Sequence, residues 1–208
     1  MEFTVDTEIV KATATGKVIY DRRAVRKYKH KALSKNLIEQ LLQAGCMAPS
    51  AMNKQPWHFY VLTDSDIIKS FSREIAKVAL KDVLESGVKP AIKAAAGLFQ
   101  FSKKFNYHII EDPVFYGAPA VIFLTTNRDD EWAALDTGMC AQNIMLAAKA
   151  IGIDSCPVGF GRYVEKTKIF SKLHVPASEK VQLAIILGYG DESPVVHERI
   201  SNNVLFIE

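Results

Sequence analysis

The chain has 208 residues, 49% hydrophobic and 24% charged, the proportions of an ordinary globular protein with a substantial core rather than a fibrous or disordered one. Its 26 Lys and Arg against 23 Asp and Glu leave a formal net charge of only +3, too balanced for a surface dedicated to nucleic acid, so any strong positive field must be local. Three widely spaced cysteines, Cys46, Cys140 and Cys156, form no CxxC pair and read as reduced thiols. Acidic Glu2, Asp6 and Glu8 stand where a secretory leader carries positive charge, and no run approaches the ~18 apolar residues of a membrane span; a cytoplasmic address is expected, with no membrane partner.

The first dense feature is Arg22-Arg23-Ala24-Val25-Arg26-Lys27-Tyr28, four cations within six positions. Leu37, Ile38, Leu41, Leu42 and Cys46 then recur at helical spacing behind Ser34, a good N-cap, and Ala48-Pro49 halts the run. The loop Ala48-Pro49-Ser50-Ala51-Met52-Asn53-Lys54-Gln55-Pro56-Trp57 leads into a strand over His58–Thr63, and Asp64 caps a helix through Ile67, Ile68, Phe71 and Ile75. A further helical region is expected over Ala91–Lys104, crowded with aromatics. Pro119–Thr125 is nearly all apolar, which suits a strand in the middle of a sheet. Glu131–Ala150 reads as one long, largely apolar helix stopped by Gly152, buried and a candidate to lie between subunits. Strands are expected at Ile153–Phe160 and Val181–Gly188, with a short helix near Thr167–Leu173 and an irregular tail beyond Pro194. Connections of uneven length and the lack of a glycine-rich turn after the first strand favour a layered α+β fold over a doubly wound one.

Four clusters carry possible chemistry. Arg22, Arg23 and Arg26 are spaced so that guanidinium forks can converge on a phosphate, although a solvated basic face at a helix end has the same composition. Ser50, Asn53 and Gln55 offer polar side chains in a loop that two prolines restrict and Trp57 anchors, suited to a flat heterocycle; turn residues that only satisfy their own backbone look alike. Cys156-Pro157-Val158-Gly159-Phe160-Gly161 leaves a strand through glycines that let a ligand approach main-chain N–H groups, a weak signal by itself. His197 and Arg199, two residues apart, share one side of an extended segment. The five histidines show no metal-ligand spacing, and neither a GxSxG elbow nor a GxxxxGK[ST] loop is present, so no metal site is expected.

In this order, the four clusters resemble the FMN-dependent nitroreductase family from about Ile19 to about Arg199. The RRxxR cluster, the PSxxNxQPW loop, Ala118-Pro119-Ala120-Val121-Ile122, Gln142–Ala148, Cys156–Phe160 and Leu187-Gly188-Tyr189-Gly190 followed by Arg199 are the matching segments. The resemblance implies a single domain over 1–208, with a mostly antiparallel central sheet flanked by helices, assembled as an intertwined homodimer; residues 1–18 form an N-terminal extension, and the tail 195–208 packs on the partner. It further implies that Arg22, Arg23, His197 and Arg199 hold the phosphate and ribityl end of FMN, with Ala24 beside them where the family usually has Ser. The resemblance also implies that Arg26 faces N1 and O2, where a cation favours the reduced flavin. By the same resemblance Pro157, Val158, Gly159 and Phe160 would line the ring, the Gly159 N–H towards N5, and Pro49, Ser50, Ala51, Asn53 and Gln55 would come from the second subunit.

The activity so implied is ping-pong hydride transfer from NAD(P)H through flavin N5 to a nitroaromatic, quinone or similar acceptor, with no catalytic side-chain triad. Phe99, Phe105, Tyr107 and His108, with Phe101, are the expected wall or lid of the acceptor pocket, or equally ordinary helix packing. Alternatives from the same resemblance are flavin fragmentation and reductive dehalogenation; from another class, a flavin store or sensor without turnover.

Overall fold

The structure is a computed structural model that describes residues 7–85, 111–200 and 203–207. Two short helices, α1 (Thr7–Lys11) and α2 (Ala14–Asp21), precede the basic cluster; neither carries an apolar period long enough to stand out in the sequence. Thr13 caps α2, its hydroxyl accepting from the Gly16 N–H at 2.9 Å. Helix α3 (Lys35–Cys46) starts where expected, with Ser34 Oγ accepting from the Leu37 N–H at 3.2 Å. Strand β1 (His58–Leu62) passes into α4 (Ser65–Glu85) through Asp64, whose Oδ1 accepts from the N–H groups of Asp66 and Ile67, both at 2.9 Å.

Strand β2 (Ala120–Asn127) is followed by α5 (Ala133–Ala150), which begins two residues later than the pattern suggests. Asp130 Oδ1 accepts from the Trp132 N–H at 3.0 Å, and this local turn holds Glu131 and Trp132 out of the helix. After Gly152, whose φ of +77° turns the chain, come β3 (Asp154–Val158), two 3-10 segments (Gly159–Lys166 and Phe170–Leu173) and β4 (Glu179–Gly188). The expected strand through Phe160 therefore stops at Val158. The helix expected from Thr167 starts only at Phe170, because Thr167 is extended and closes the preceding turn, its hydroxyl donating to Val164 O at 2.7 Å.

The strands lie in the order β1-β2-β4-β3, and every neighbouring pair is antiparallel, giving the expected α+β architecture. As its apolar run requires, β2 sits inside the sheet, with only Asn127 of its residues exposed. One face, with Val121, Phe123, Ala184 and Ile186, packs on Ile68, Phe71 and Ile75 of α4 and on Phe115; the Phe115 and Phe123 rings meet edge-on at 5.9 Å. The other face, with Ile122, Leu124, Ile185 and Leu187, packs on Ile38 and Leu41 of α3 and on Cys140 and Ile144 of α5. Three layers result, and at about 1.5–3 kcal/mol per buried large apolar side chain they supply the main drive to fold. The layering leaves the two edge strands, β1 and β3, at opposite sides of the molecule.

Candidate functional site

The basic cluster is laid along the β3 edge. Arg22 ends α2, its N–H donating to Val18 O at 3.0 Å, and takes up an extended conformation. Ala24 then bridges Ser155 in parallel, with the Val25 N–H donating to Ser155 O at 3.1 Å. Farther on, the Lys29 N–H donates to Tyr189 O and the Asp191 N–H to Lys27 O, both at 2.8 Å, so the segment is stitched to the chain that follows β4.

Within this segment the three arginines separate by role. Arg22 Nη1 is buried and has no hydrogen-bond partner. Leaving such a donor unpaired costs about 1–3 kcal/mol, more for a charged group, so the position is built to meet an acceptor. Arg23 turns back: its Nη1 donates to Tyr20 O at 2.5 Å and Arg22 O at 2.7 Å, satisfying carbonyls at the end of α2. Arg26 is clamped, its N–H donating to Glu192 Oε1 at 2.5 Å, its Nη1 to Ala24 O at 3.3 Å and its guanidinium to the Tyr116 hydroxyl. Burial pushes the Tyr116 phenol up, against a lowering by Arg26; burial also raises the Cys156 thiol beneath, opposed by Arg26 and Arg22.

Tyr116 reaches Arg26 through an uncommon backbone, with φ +56° at Tyr116 and +72° at Gly117. Asp112, only 2% exposed, holds this turn: Oδ1 accepts from the Phe115 N–H at 2.9 Å and Oδ2 from the Gly117 N–H at 2.8 Å. Tyr116, Asp112, Glu192 and Ser155 do not stand out in the sequence. Only the left-handed pair Tyr116-Gly117 ahead of Pro119 hints at a tight turn, and the contact to Arg26 spans 90 positions.

The Pro49–Trp57 loop occupies the opposite edge, leading into β1. Trp57, 5% exposed, anchors it between α3 and α5. Met52, Asn53 and Gln55 all adopt positive φ, between 48° and 55°, a costly conformation that internal hydrogen bonds sustain. Ser50 Oγ accepts from the Gln55 N–H at 2.9 Å, Gln55 Nε2 donates to Asn53 Oδ1 at 3.2 Å, and the Ala51 N–H donates to buried Asp136 of α5 at 3.2 Å. Asn53 and Gln55 are thereby displayed to solvent. Pro49 shares an open cleft of about 430 Å³ with Leu135, Gly138, Met139, Gln142 and Asn143 of α5. Three strand spacings, roughly 15 Å, separate the two edges, so within one chain the loop and Arg22 do not form a single pocket.

Pro157 is exposed and Val158 buried at the end of β3, and Gly159 opens the next turn. A side chain at Gly159 would meet nothing within 4 Å, so its main chain is open to a ligand, whereas one at Gly161 would lie 2.4 Å from the Ala184 methyl. Gly161 therefore lets the turn lie flat on β4, presenting Gly159 and the half-exposed Phe160. His197 and Arg199 lie in the exposed stretch 191–200, which carries no helix or strand; its root is tied to the basic cluster through Glu192 and the Lys27–Asp191 ion pair at 3.0 Å. Phe99, Phe101, Phe105, Tyr107 and His108 lie outside the described residues. Cys46, Cys140 and Cys156 are free thiols. No helix among the described residues is long and apolar enough to cross a membrane.

Comparison with known proteins places this arrangement. The 4-nitrobenzoate reductase of Pseudomonas putida is 28% identical over 86% of this chain and 87% of its own length, and the chloronitrobenzene nitroreductase of Comamonas testosteroni is 26% identical over 90% and 91%. The fold superposes on a nitroreductase with bound FMN from Desulfitobacterium hafniense with a TM-score of 0.75 at 24% identity, covering 94% of this chain and 99% of that one. The family model described as "Nitroreductase family" matches residues 19–189, from α2 to the end of β4, and the chain belongs to that family.

Proposed function

We propose that this protein is an FMN-dependent oxidoreductase that accepts hydride from NAD(P)H and delivers it to a nitroaromatic, quinone or similar acceptor. The observation that carries the reading is the buried, unpartnered Nη1 of Arg22 in the segment that runs beside β3, the strand whose end opens into the bare main chain of Gly159. A donor set of this kind fits a flavin mononucleotide: guanidinium for the phosphate, a second cation for the electron-rich pyrimidine edge, bare N–H groups for the ring. The nitroaromatic reductases among the relatives support the acceptor class.

In this reading, Arg22 and Arg23 hold the phosphate together with His197 and Arg199 from the tail. Arg26, kept in place by Glu192 and Tyr116, lays its positive charge along N1 and O2. Gly159 presents its N–H to N5, with Phe160 near O4, and Pro157 and Val158 support them. When bound, FMN supplies the hydride chemistry at N5, and the protein contributes orientation, charge and exclusion of water. The chain as a whole forms one domain over 1–208, with 1–18 as an extension.

A second copy completes the site. Pro49, Ser50, Ala51, Asn53 and Gln55 sit at the far edge of their own sheet with the amides facing outward, which suits donation to a partner's flavin. The apolar side chains Val195, Val196, Val204, Leu205 and Ile207, all exposed on one chain, belong in this reading to a tail that packs on the partner.

The test is the visible spectrum of purified protein after FMN addition, followed by anaerobic NADPH or NADH. Uptake of FMN and rapid bleaching are expected. A protein that takes up no FMN overturns the reading, and one that binds FMN without bleaching is a carrier rather than an oxidoreductase.

A further inference from the structure

Among the described residues, two buried side-chain polar atoms lack a hydrogen-bond partner: Arg22 Nη1 and Ser155 Oγ. They are 133 positions apart in sequence and neighbours in the fold. Ser155, 1% exposed, is the parallel bridge partner of Ala24, and residues paired across strands present their side chains to the same side. Arg22 lies two residues before Ala24 in extended backbone, and positions i and i+2 also share a side. By this alternation Arg22 and Ser155 share one side of the β3 edge, Ser155 lying across the bridge from Ala24 and Arg22 two residues before it. Val25 and Cys156, the next residue of each strand, enter the core against α4, and the half-buried Ala24 packs at the rim of the same cluster.

A serine hydroxyl could satisfy the guanidinium by accepting from it, yet the two remain unpaired. What they present on that side is a cationic donor and a neutral donor, the complement of an acceptor bearing several oxygens. We infer that Ser155 Oγ donates a hydrogen bond to the FMN phosphate held by Arg22, so that β3 contributes a side chain, as well as the Gly159 turn, to the cofactor site. The inference rests on the FMN reading above.

The experiment compares FMN and riboflavin binding, by quenching of flavin fluorescence, in the parent and in Ser155→Ala. Loss of a hydrogen bond to a charged group predicts FMN binding about tenfold weaker, with riboflavin changed less than twofold. The thermal midpoint of the flavin-free variant should be no lower than the parent's, since the deleted hydroxyl has no partner to lose. Adding Ala24→Ser to that variant, which places a hydroxyl across the bridge on the same side, should restore FMN affinity. Ser155→Cys, of similar volume and a weak donor, should show the same loss and covers poor folding of the alanine variant. Unchanged FMN affinity in Ser155→Ala or Ser155→Cys, or equal losses for FMN and riboflavin, overturns the inference while leaving the oxidoreductase reading intact. A parent that binds no FMN ends that reading itself.

Discussion

Arg26 shows how single residues set the electrostatics of the edge. Its charge is useful beside a flavin only if it stays in place, and the Tyr116 hydroxyl, positioned by the Asp112 turn, accepts from it. Tyr116→Phe keeps the ring and removes that acceptor, which should weaken the cation's hold on a reduced flavin by about 1 kcal/mol. The flavin midpoint potential should fall by on the order of 20 mV with little change in thermal midpoint, as read by anaerobic redox titration. An unmoved potential would argue against the clamp. Cys140 has a different consequence. Burial, with a smaller contribution from Cys46, pushes its thiol from 9.0 up to about 12. Between those values the unfolded thiol ionises while the folded one keeps its proton, so the folded state binds more protons and stability falls as pH rises through that window, being fully present below it. Urea unfolding at pH 8 and at pH 10.5 should show this loss, and a shallower one in Cys140→Ala.

Elements are held apart and together by small residues at defined points. At Gly45 of α3, an added Cβ would lie 2.6 Å from Ile144 Cγ1 and 3.2 Å from Cys140 Sγ of α5. Gly45→Ala should therefore overpack the α3–α5 seam and cost about 1–3 kcal/mol in urea-induced unfolding, despite its better helix propensity. At the other end of α3, Ser34→Ala removes the cap on the Leu37 N–H and should cost about 1 kcal/mol. Both elements were legible beforehand: the apolar spacing and the Ser34 cap mark α3, and the unbroken apolar run marks β2 as interior. The missed boundaries, the late start of α5 and the early end of β3, arise from an Asp130 turn and a glycine turn, local hydrogen bonding that apolar spacing does not report.

At the scale of the whole molecule, the two halves of the proposed site lie on opposite edges of one sheet. Arg22→Ala and Asn53→Ala/Gln55→Ala should each abolish FMN binding as homodimers, because each damages both sites. Co-refolded together, mixed dimers carry both lesions in one site and none in the other, so about half the FMN stoichiometry of those dimers should return. No recovery on mixing would show that the loop serves its own chain's site or none.

The basic cluster, the proline-bounded loop, the glycine turn and the family are all readable from residue type and spacing, because charge, backbone restriction and apolar period are local properties of the chain. The α+β layering follows from the same patterns, whereas the antiparallel order of the sheet is implied only by the family resemblance. What the local text does not contain is which partners meet across it. Arg26 clamped by Tyr116 and Glu192, and Ser155 brought beside Ala24, depend on contacts between segments 90 to 166 positions apart, and Arg22 is left unpaired within that same arrangement. Only the closed tertiary structure selects those contacts, because burial of the two apolar faces fixes the strand order, and the strand order decides which polar groups lie next to one another.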